Sequence, residues 1–207
     1  NILPEYQSKL EGLKRADSLA FDFHKWFYVN YDAGCVLIRD ANIHKDAFSV
    51  NASYLQKHER GLIAGNEHYN HLGIELSRGF RALKVWMNLK EHGIDKYRQL
   101  VRQNLQQAQY LAALVQERPQ LELLAPVHMN IVCFRYHAEG MDTNRLNGLN
   151  KEILMQLHEA GTALPSFTVL NGLSAIRVAI TNHRSKTSDF EILVNEVVRL
   201  RNNILEN

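Results

Sequence analysis

Hydrophobic and polar positions in the first third of the chain follow three successive patterns. An apolar face repeating every three to four residues predicts a helix over 4–15. Continuous apolar runs at 18–22 and 34–39 predict two strands buried in a covered sheet. From residue 40 to about 70 the pattern fades, and a long stretch of this kind is typical of a functional loop or lid.

Regular periodicity returns after residue 73 and continues almost to the last residue. The predicted elements, in order, are a helix at 73–92 ending at Gly93, a long amphipathic helix at 97–115, strands at 121–125 and 131–136, a helix at 146–157 ending at Gly161, a strand at 175–181, and a final helix from Ser188 through Val197. This alternation predicts a small α+β domain with mostly antiparallel strands and helices on one face. We therefore expect two regions: 1–72, the end of a larger α/β domain, and 73–207, a connecting helix and the small domain.

Charge and composition exclude several classes of function. The chain has 207 residues, of which 45% are hydrophobic, and its 24 basic and 22 acidic residues are interspersed, giving a net charge of +2. This balance predicts neither a nucleic-acid surface nor a membrane surface, and no apolar run approaches the ~18 residues of a membrane span. Cys35 and Cys133 lie in apolar runs and are predicted to be free thiols in a reducing, cytoplasmic compartment.

Three segments carry a more specific signal. They are ADSLAFDFHKW at 16–26, LSRGFRALKVW at 76–86, and IRVAITNHR at 176–184. Together, and in this order, they resemble the group II amino-acid decarboxylases that depend on pyridoxal 5'-phosphate (PLP). Gly79 departs from the longer residue often found there, and we expect this to affect packing only.

The resemblance implies a fold and a cofactor. The fold would be α/β, of the PLP aminotransferase-like type, with 1–72 as the end of the large PLP-binding domain and 73–207 leading into the small C-terminal domain. Lys25 would form the internal aldimine with PLP, for which its amine must be neutral, through burial or nearby cations. His24 would contact the cofactor phosphate. From spacing alone, Lys25 could equally be a surface lysine, and His24 a histidine packed at a strand end.

Two further residues are candidates for the reaction. By the resemblance, Tyr54 lies in a mobile catalytic loop, reaching the neighbouring subunit, and protonates the quinonoid carbon; otherwise it is an ordinary loop tyrosine. Arg177 shares a strand face with Ala179 and Thr181, where its guanidinium could bind a substrate carboxylate or form a structural salt bridge.

A metal site is not predicted. His68 and His71 have the i, i+3 spacing of a helical metal-binding pair, but no third ligand lies at a recognisable distance in the sequence.

The resemblance implies PLP-dependent decarboxylation of an L-amino acid to its amine by a homodimer. The alternatives are a PLP-dependent aldehyde synthase or other lyase of the same fold, or a non-catalytic dimerisation fragment. The chain opens at Asn1 and holds no segment like the family's upstream half, so its partner is expected to be the missing N-terminal half of the same protein. Without that half we expect it to be inactive.

Overall fold

The chain forms two compact units in the computed structural model. The structure describes residues 2–49, 60–61, 64 and 68–206. Unit 1 comprises residues 1–98 and unit 2 residues 99–207. The functional boundary expected between residues 72 and 73 remains a prediction, since compactness alone does not test it.

Unit 1 is built around a two-stranded ribbon. Strand β1 (Ser18–Asp22) pairs antiparallel with β2 (Gly34–Ile38), in a register that places Asp22 opposite Gly34. Both strands were predicted, but as buried strands of a covered sheet. In the described chain three of the five positions on each strand are exposed and none is buried. The predicted helix at 4–15 consists of 3-10 turns at Pro4–Tyr6 and Ser8–Arg15, with no buried residue.

A short helix follows the ribbon where the sequence pattern had faded. Helix α1 (Ala41–Phe48) buries no side chain, so it lacks the apolar face that periodicity detects. Its start is nevertheless encoded locally. The Asp40 carboxylate accepts hydrogen bonds from the backbone N–H groups of Asn42 and Ile43, at 2.9 and 3.0 Å, as an N-cap residue does.

Helix α2 (Arg81–Gln116) covers the predicted helices at 73–92 and 97–115, except that residues 73–80 are not helical. Gly93 interrupts it with φ 72° and ψ 160°, a left-handed conformation that glycine adopts without a Cβ penalty. The predicted helix end at Gly93 is thus confirmed. A 3-10 turn at Tyr69–Leu72 precedes α2.

Unit 2 contains a four-stranded antiparallel sheet in the order β3-β4-β6-β5. The strands are β3 (Leu121–Leu123), β4 (Ile131–Tyr136), β5 (Ser166–Leu170) and β6 (Leu173–Ala179). The predicted small domain of antiparallel strands is confirmed, but β5 was missed. Its apolar side chains Phe167 and Val169 are 41% and 52% exposed, so the strand carries no buried face for a hydrophobic pattern to reveal.

Helices α3 (Thr143–Glu159) and α4 (Thr187–Glu206) complete the core of unit 2. Asp142 caps α3 by accepting from the backbone N–H of Asn144 at 2.8 Å. The largest side chains buried to below 2% exposure are Phe134, Leu111, Ile153, Leu157, Ile176, Val115, Val132, Val194, Val197, Asn104 and Asn150. Over the ranges described, no helix combines the length and apolarity needed to cross a membrane.

Candidate active site

Lys25 lies in the turn that connects β1 to β2, as predicted. The backbone N–H of Lys25 donates to the Asp22 carbonyl at 3.3 Å, and that of Tyr28 donates to the Lys25 carbonyl at 3.1 Å. Val29 N–H reaches back to the Phe23 carbonyl at 3.2 Å. These hydrogen bonds fold residues 22–29 into a compact reversal that holds Lys25 just beyond the end of β1.

The Lys25 side chain forms an ion pair with Asp22. Its Nζ lies 2.5 Å from the Asp22 Oδ2 atom, and the two side chains are 70% and 31% exposed. The hydrogen bond from Lys25 lowers the pKa of the Asp22 carboxyl below its usual value, although partial desolvation opposes the shift. We had expected burial or a neighbouring cation at this amine. The structure instead places Lys25 in the open beside a carboxylate.

His24 is fixed by the backbone of the same ribbon. Its Nδ1 atom accepts a hydrogen bond from the Ala33 N–H at 3.0 Å, and the imidazole packs edge-on against the Tyr31 ring with centroids 4.7 Å apart. Because Nδ1 is an acceptor, Nε2 carries the ring proton and is the donor. Nε2 lies 3.9 Å from the Asp22 Oδ1 atom.

An aromatic cluster supports this turn from within unit 1. The ring centroids of Phe21 and Phe23 lie 5.0 Å apart, and those of Phe23 and Phe27 5.3 Å apart, both pairs edge to face. Phe27 stacks on Tyr97 at 4.8 Å, and Tyr97 is 2% exposed. Aromatic pairs of this geometry contribute about 0.5–1.5 kcal/mol beyond their buried area, so the cluster restrains the backbone that carries Lys25.

Arg81, the first residue of helix α2, contacts Asp32 at the end of the turn that precedes β2. Its Nε donates to the Asp32 Oδ2 atom at 3.0 Å and its Nη1 to the Glu75 Oε2 atom at 3.2 Å. A mainly apolar cavity of about 340 Å³ lies beside this contact. It is lined by Phe23, Ala33, Gly34, Cys35, Arg81, Ala82, Val85, Trp86 and Leu89.

The other two predicted site residues are Tyr54 and Arg177. Tyr54 lies outside the described residues. Arg177 belongs to unit 2, where its Nη1 donates to the Ser166 hydroxyl oxygen at 3.3 Å across the β5–β6 pair. Its role toward a substrate therefore stays a prediction.

The histidine pair at 68 and 71 comes together without forming a complete metal site. The two rings are 5.8 Å apart, and His71 is 5% exposed. Across the described residues, no group of three or more His, Cys, Asp or Glu side chains is arranged to hold a metal ion. Cys35 and Cys133 are free thiols, as predicted, and burial raises the pKa of both.

Sequence reasoning missed three contributions to the candidate site. These are the Asp22 carboxylate, the Ala33 N–H that fixes the His24 ring, and the Asp32–Arg81 contact. Asp22 had a detectable signal, since an aspartate three residues before a lysine in a strand-to-turn junction is placed to pair with it. The other two depend on how β2 and α2 return to the turn, which no local pattern encodes.

Comparison with known proteins identifies the family. Residues 2–137 match the model of the pyridoxal-dependent decarboxylase conserved domain. The chain is 35% identical over 181 residues to an aromatic-L-amino-acid decarboxylase of Bacillus atrophaeus, covering 87% of this chain and 38% of that protein. It is 39% identical over 144 residues to a 3,4-dihydroxyphenylacetaldehyde synthase of Aedes aegypti, covering 70% of this chain and 27% of that protein.

Solved structures share the fold. The crystal structure of Catharanthus roseus tryptophan decarboxylase in complex with L-tryptophan superposes with a TM-score of 0.83 at 22% identity, covering 97% of this chain and 42% of that one. This likeness confirms the predicted PLP aminotransferase-like fold. The chain thus spans roughly two fifths or less of the length of the relatives compared here.

Proposed function

The chain belongs to the pyridoxal-dependent decarboxylase family, and from this premise we propose that it is part of an enzyme that converts an L-amino acid to its amine. Lys25 is the amine to which the cofactor attaches. The observation that carries the proposal is the pairing of an accessible lysine Nζ with a histidine of fixed tautomer on one turn.

The residues of this turn fit the cofactor's two reactive ends. PLP supplies an aldehyde for attachment and a ring that accepts the electrons released when carbon dioxide leaves. Lys25 offers a primary amine that is 70% exposed, which an aldehyde can reach. His24 offers the Nε2–H as a donor to a phosphate oxygen, because Ala33 occupies Nδ1.

Reductive trapping tests the role of Lys25. Borohydride treatment of the PLP-loaded full-length enzyme, followed by peptide mass mapping, should place the pyridoxyl group on Lys25. Lys25→Ala should abolish trapping and amine production, whereas Lys96→Ala, at an exposed position of α2, should leave both unchanged. Modification of a different lysine in the parent enzyme would refute the assignment.

The reaction outcome, amine or aldehyde, separates two activities within the family. Relatives of this chain include both a decarboxylase and an aldehyde synthase. We favour decarboxylation because position 54 holds a tyrosine. By the family resemblance, a tyrosine at this position protonates the substrate carbon. Tyr54→Phe in the full-length enzyme should strongly reduce amine yield, release aldehyde and peroxide, and leave cofactor absorbance nearly unchanged. Unchanged amine yield would remove Tyr54 from the mechanism.

We assign Arg177 to the substrate carboxylate, since a strand-borne guanidinium offers a bidentate fork to an acid group. Arg177→Lys keeps the charge but loses the fork, so KM should rise more than kcat falls. An unchanged KM would leave Arg177 with only its Ser166 contact. The enzyme is proposed to act in the cytoplasm and as a homodimer. Molar-mass measurement of the full-length protein would test the dimer.

The third candidate, a non-catalytic fragment, applies to residues 1–207 alone. Attachment chemistry needs a phosphate cradle, a partner for the pyridine nitrogen and a pocket that excludes water, besides the lysine. The turn offers the lysine and one phosphate donor. The purified chain should therefore be colourless with PLP and release no carbon dioxide from L-amino acids, and should gain activity when mixed with the upstream half. A monomeric chain that decarboxylates alone would contradict this.

A further inference from the structure

The contact between Asp22 and Lys25 is built into the backbone of the turn. Asp22 is the last residue of β1, and the hydrogen bond from the Lys25 N–H to the Asp22 carbonyl closes the reversal. Both side chains therefore project from the same end of the ribbon. This brings Nζ to 2.5 Å from Oδ2.

The same carboxylate also faces His24. Its Oδ1 atom lies 3.9 Å from the Nε2 atom that carries the imidazole proton, while Oδ2 contacts Lys25. One carboxylate thus faces both groups proposed to receive the cofactor. An amine held in a charge-assisted hydrogen bond of this kind cannot attack an aldehyde until that bond opens.

We propose that Asp22 is a positioning residue for Lys25, holding Nζ in an ion pair at the end of β1 until the cofactor aldehyde arrives. The inference rests on the proposed attachment of PLP at Lys25. Attachment then requires the ion pair to open. The ammonium releases a proton to water, the freed lone pair adds to the aldehyde carbon, and one water molecule leaves as the carbon–nitrogen double bond forms.

The consequence is measurable without cofactor. If Asp22 restrains the amine, removing its charge makes Nζ a better nucleophile toward any neutral electrophile. Because the pair is partly exposed, the effect is modest, roughly two- to fivefold in rate. If Asp22 instead served as the base that deprotonates Lys25, removing it would slow the same reaction.

Competitive labelling with trace acetic anhydride measures this rate. The acetylation of Lys25 is divided by that of the other lysines of the same chain, read by peptide mass mapping at one neutral pH. Asp22→Asn should raise this ratio roughly two- to fivefold. Asp95→Asn is the matched control, since Asp95 forms an i, i+3 ion pair with Arg98 at 2.6 Å in the same unit, and it should leave the Lys25 ratio unchanged.

A salt titration of the unaltered protein makes the test independent of whether the variant folds. Screening weakens exposed ion pairs, so 1 M salt should also raise the Lys25 ratio, by a smaller factor. A constant or lower ratio for folded Asp22→Asn, or a constant ratio in salt if that variant does not fold, would overturn the proposal. Borohydride mapping of the PLP-loaded enzyme tests attachment at Lys25 separately. A failure of the Asp22 restraint can therefore be distinguished from a failure of the proposed attachment site.

Discussion

Units 1 and 2 differ sharply in how they bury their apolar side chains. In unit 2, three helices and a sheet enclose one continuous core of twenty buried residues. In the described part of unit 1, the buried apolar side chains are Leu3, Val29, Ala33 and Tyr97. Yet unit 1 carries Lys25 and His24, the residues on which the proposed chemistry depends. The unit with the candidate site is thus the one whose described residues bury few apolar side chains.

The ribbon of β1 and β2 exposes apolar side chains that would be more stable if covered. Phe21, Val36 and Leu37 are 36%, 50% and 55% exposed, although strands with these residues are usually covered. Catalysis by a lysine-bound cofactor also needs a site that excludes water. Both requirements would be met if further polypeptide covered the ribbon, which agrees with the proposal that the active enzyme is longer than this chain.

The largest expected effect comes from cutting a core side chain in unit 2. Phe134→Ala, at a fully buried position of β4, should lower the free energy of unfolding by about 3–5 kcal/mol, because it removes a large apolar side chain and leaves a cavity. Leu37→Ala, on the exposed ribbon of unit 1, should change it by at most about 0.5 kcal/mol. Urea denaturation followed by circular dichroism measures both.

Tryptophan fluorescence gives this comparison a unit-specific control. Trp26 and Trp86 are the chain's two tryptophans and both lie in unit 1. The fluorescence transition therefore follows unit 1, while circular dichroism includes the helices of unit 2. A large loss of stability in Leu37→Ala would contradict the contrast between the units. If Leu37→Ala lost stability only when the proposed upstream polypeptide was present, that polypeptide would be shown to cover the ribbon.

A buried amide in unit 2 should have the next largest effect. The Asn150 Oδ1 atom accepts from the Tyr136 N–H at 2.7 Å, and Nδ2 donates to the carbonyls of Tyr136 and Leu146, each at 2.9 Å. Asn150→Ala removes the side-chain partner of the buried Tyr136 N–H and carbonyl, whereas the Leu146 carbonyl keeps its bond within α3. The substitution should cost roughly 1–3 kcal/mol. Asn144→Ala, exposed on the same helix, should stay within about 0.5 kcal/mol in the same urea experiment. Equal effects would mean that the amide network does not stabilise unit 2.

The same contrast explains what the sequence could predict. In unit 2 the periodic residues Leu146, Leu149, Ile153 and Leu157 are all buried, so the pattern located α3 correctly. In unit 1, α1 buries nothing, and only the cap at Asp40 indicates it. Hydrophobic patterning detects a helix through the face it buries, and it therefore missed α1, which buries no side chain.

The candidate site followed a different rule. Lys25 and His24 were predicted from a short motif in a segment that resembles the pyridoxal-dependent decarboxylases. The groups that orient them were not found, since Ala33 and Arg81 return to the turn from β2 and α2. The motif thus predicted candidate groups, whereas the contacts that fix their geometry required the three-dimensional structure.

The smallest expected effect concerns two ion pairs with the same i, i+3 sequence spacing, one in each unit. Asp22–Lys25 lies in a turn of unit 1, and Glu196–Arg199 on α4 of unit 2, where Nε donates to Oε2 at 2.8 Å. The hydrogen bond from Lys25 lowers the pKa of Asp22, and that from Arg199 lowers the pKa of Glu196, while desolvation opposes both shifts. Carbon-detected NMR titration should place both carboxyls below their ordinary values of 3.8 and 4.5.

Each pair should respond only to loss of its own cation. Lys25→Ala should return the Asp22 pKa toward 3.8 and leave Glu196 unchanged, and Arg199→Ala should do the reverse. Because a lowered carboxyl pKa stabilises the folded state above the ordinary pKa, the contribution of the Asp22 pair is complete at neutral pH. It is lost as the pH falls below 3.8 through the lowered pKa of Asp22. The stability difference between Lys25→Ala and the parent should therefore shrink on acidification. An Asp22 pKa that does not move in Lys25→Ala would show that the ion pair of unit 1 does not form in solution, and the restraint proposed for Lys25 would fail with it.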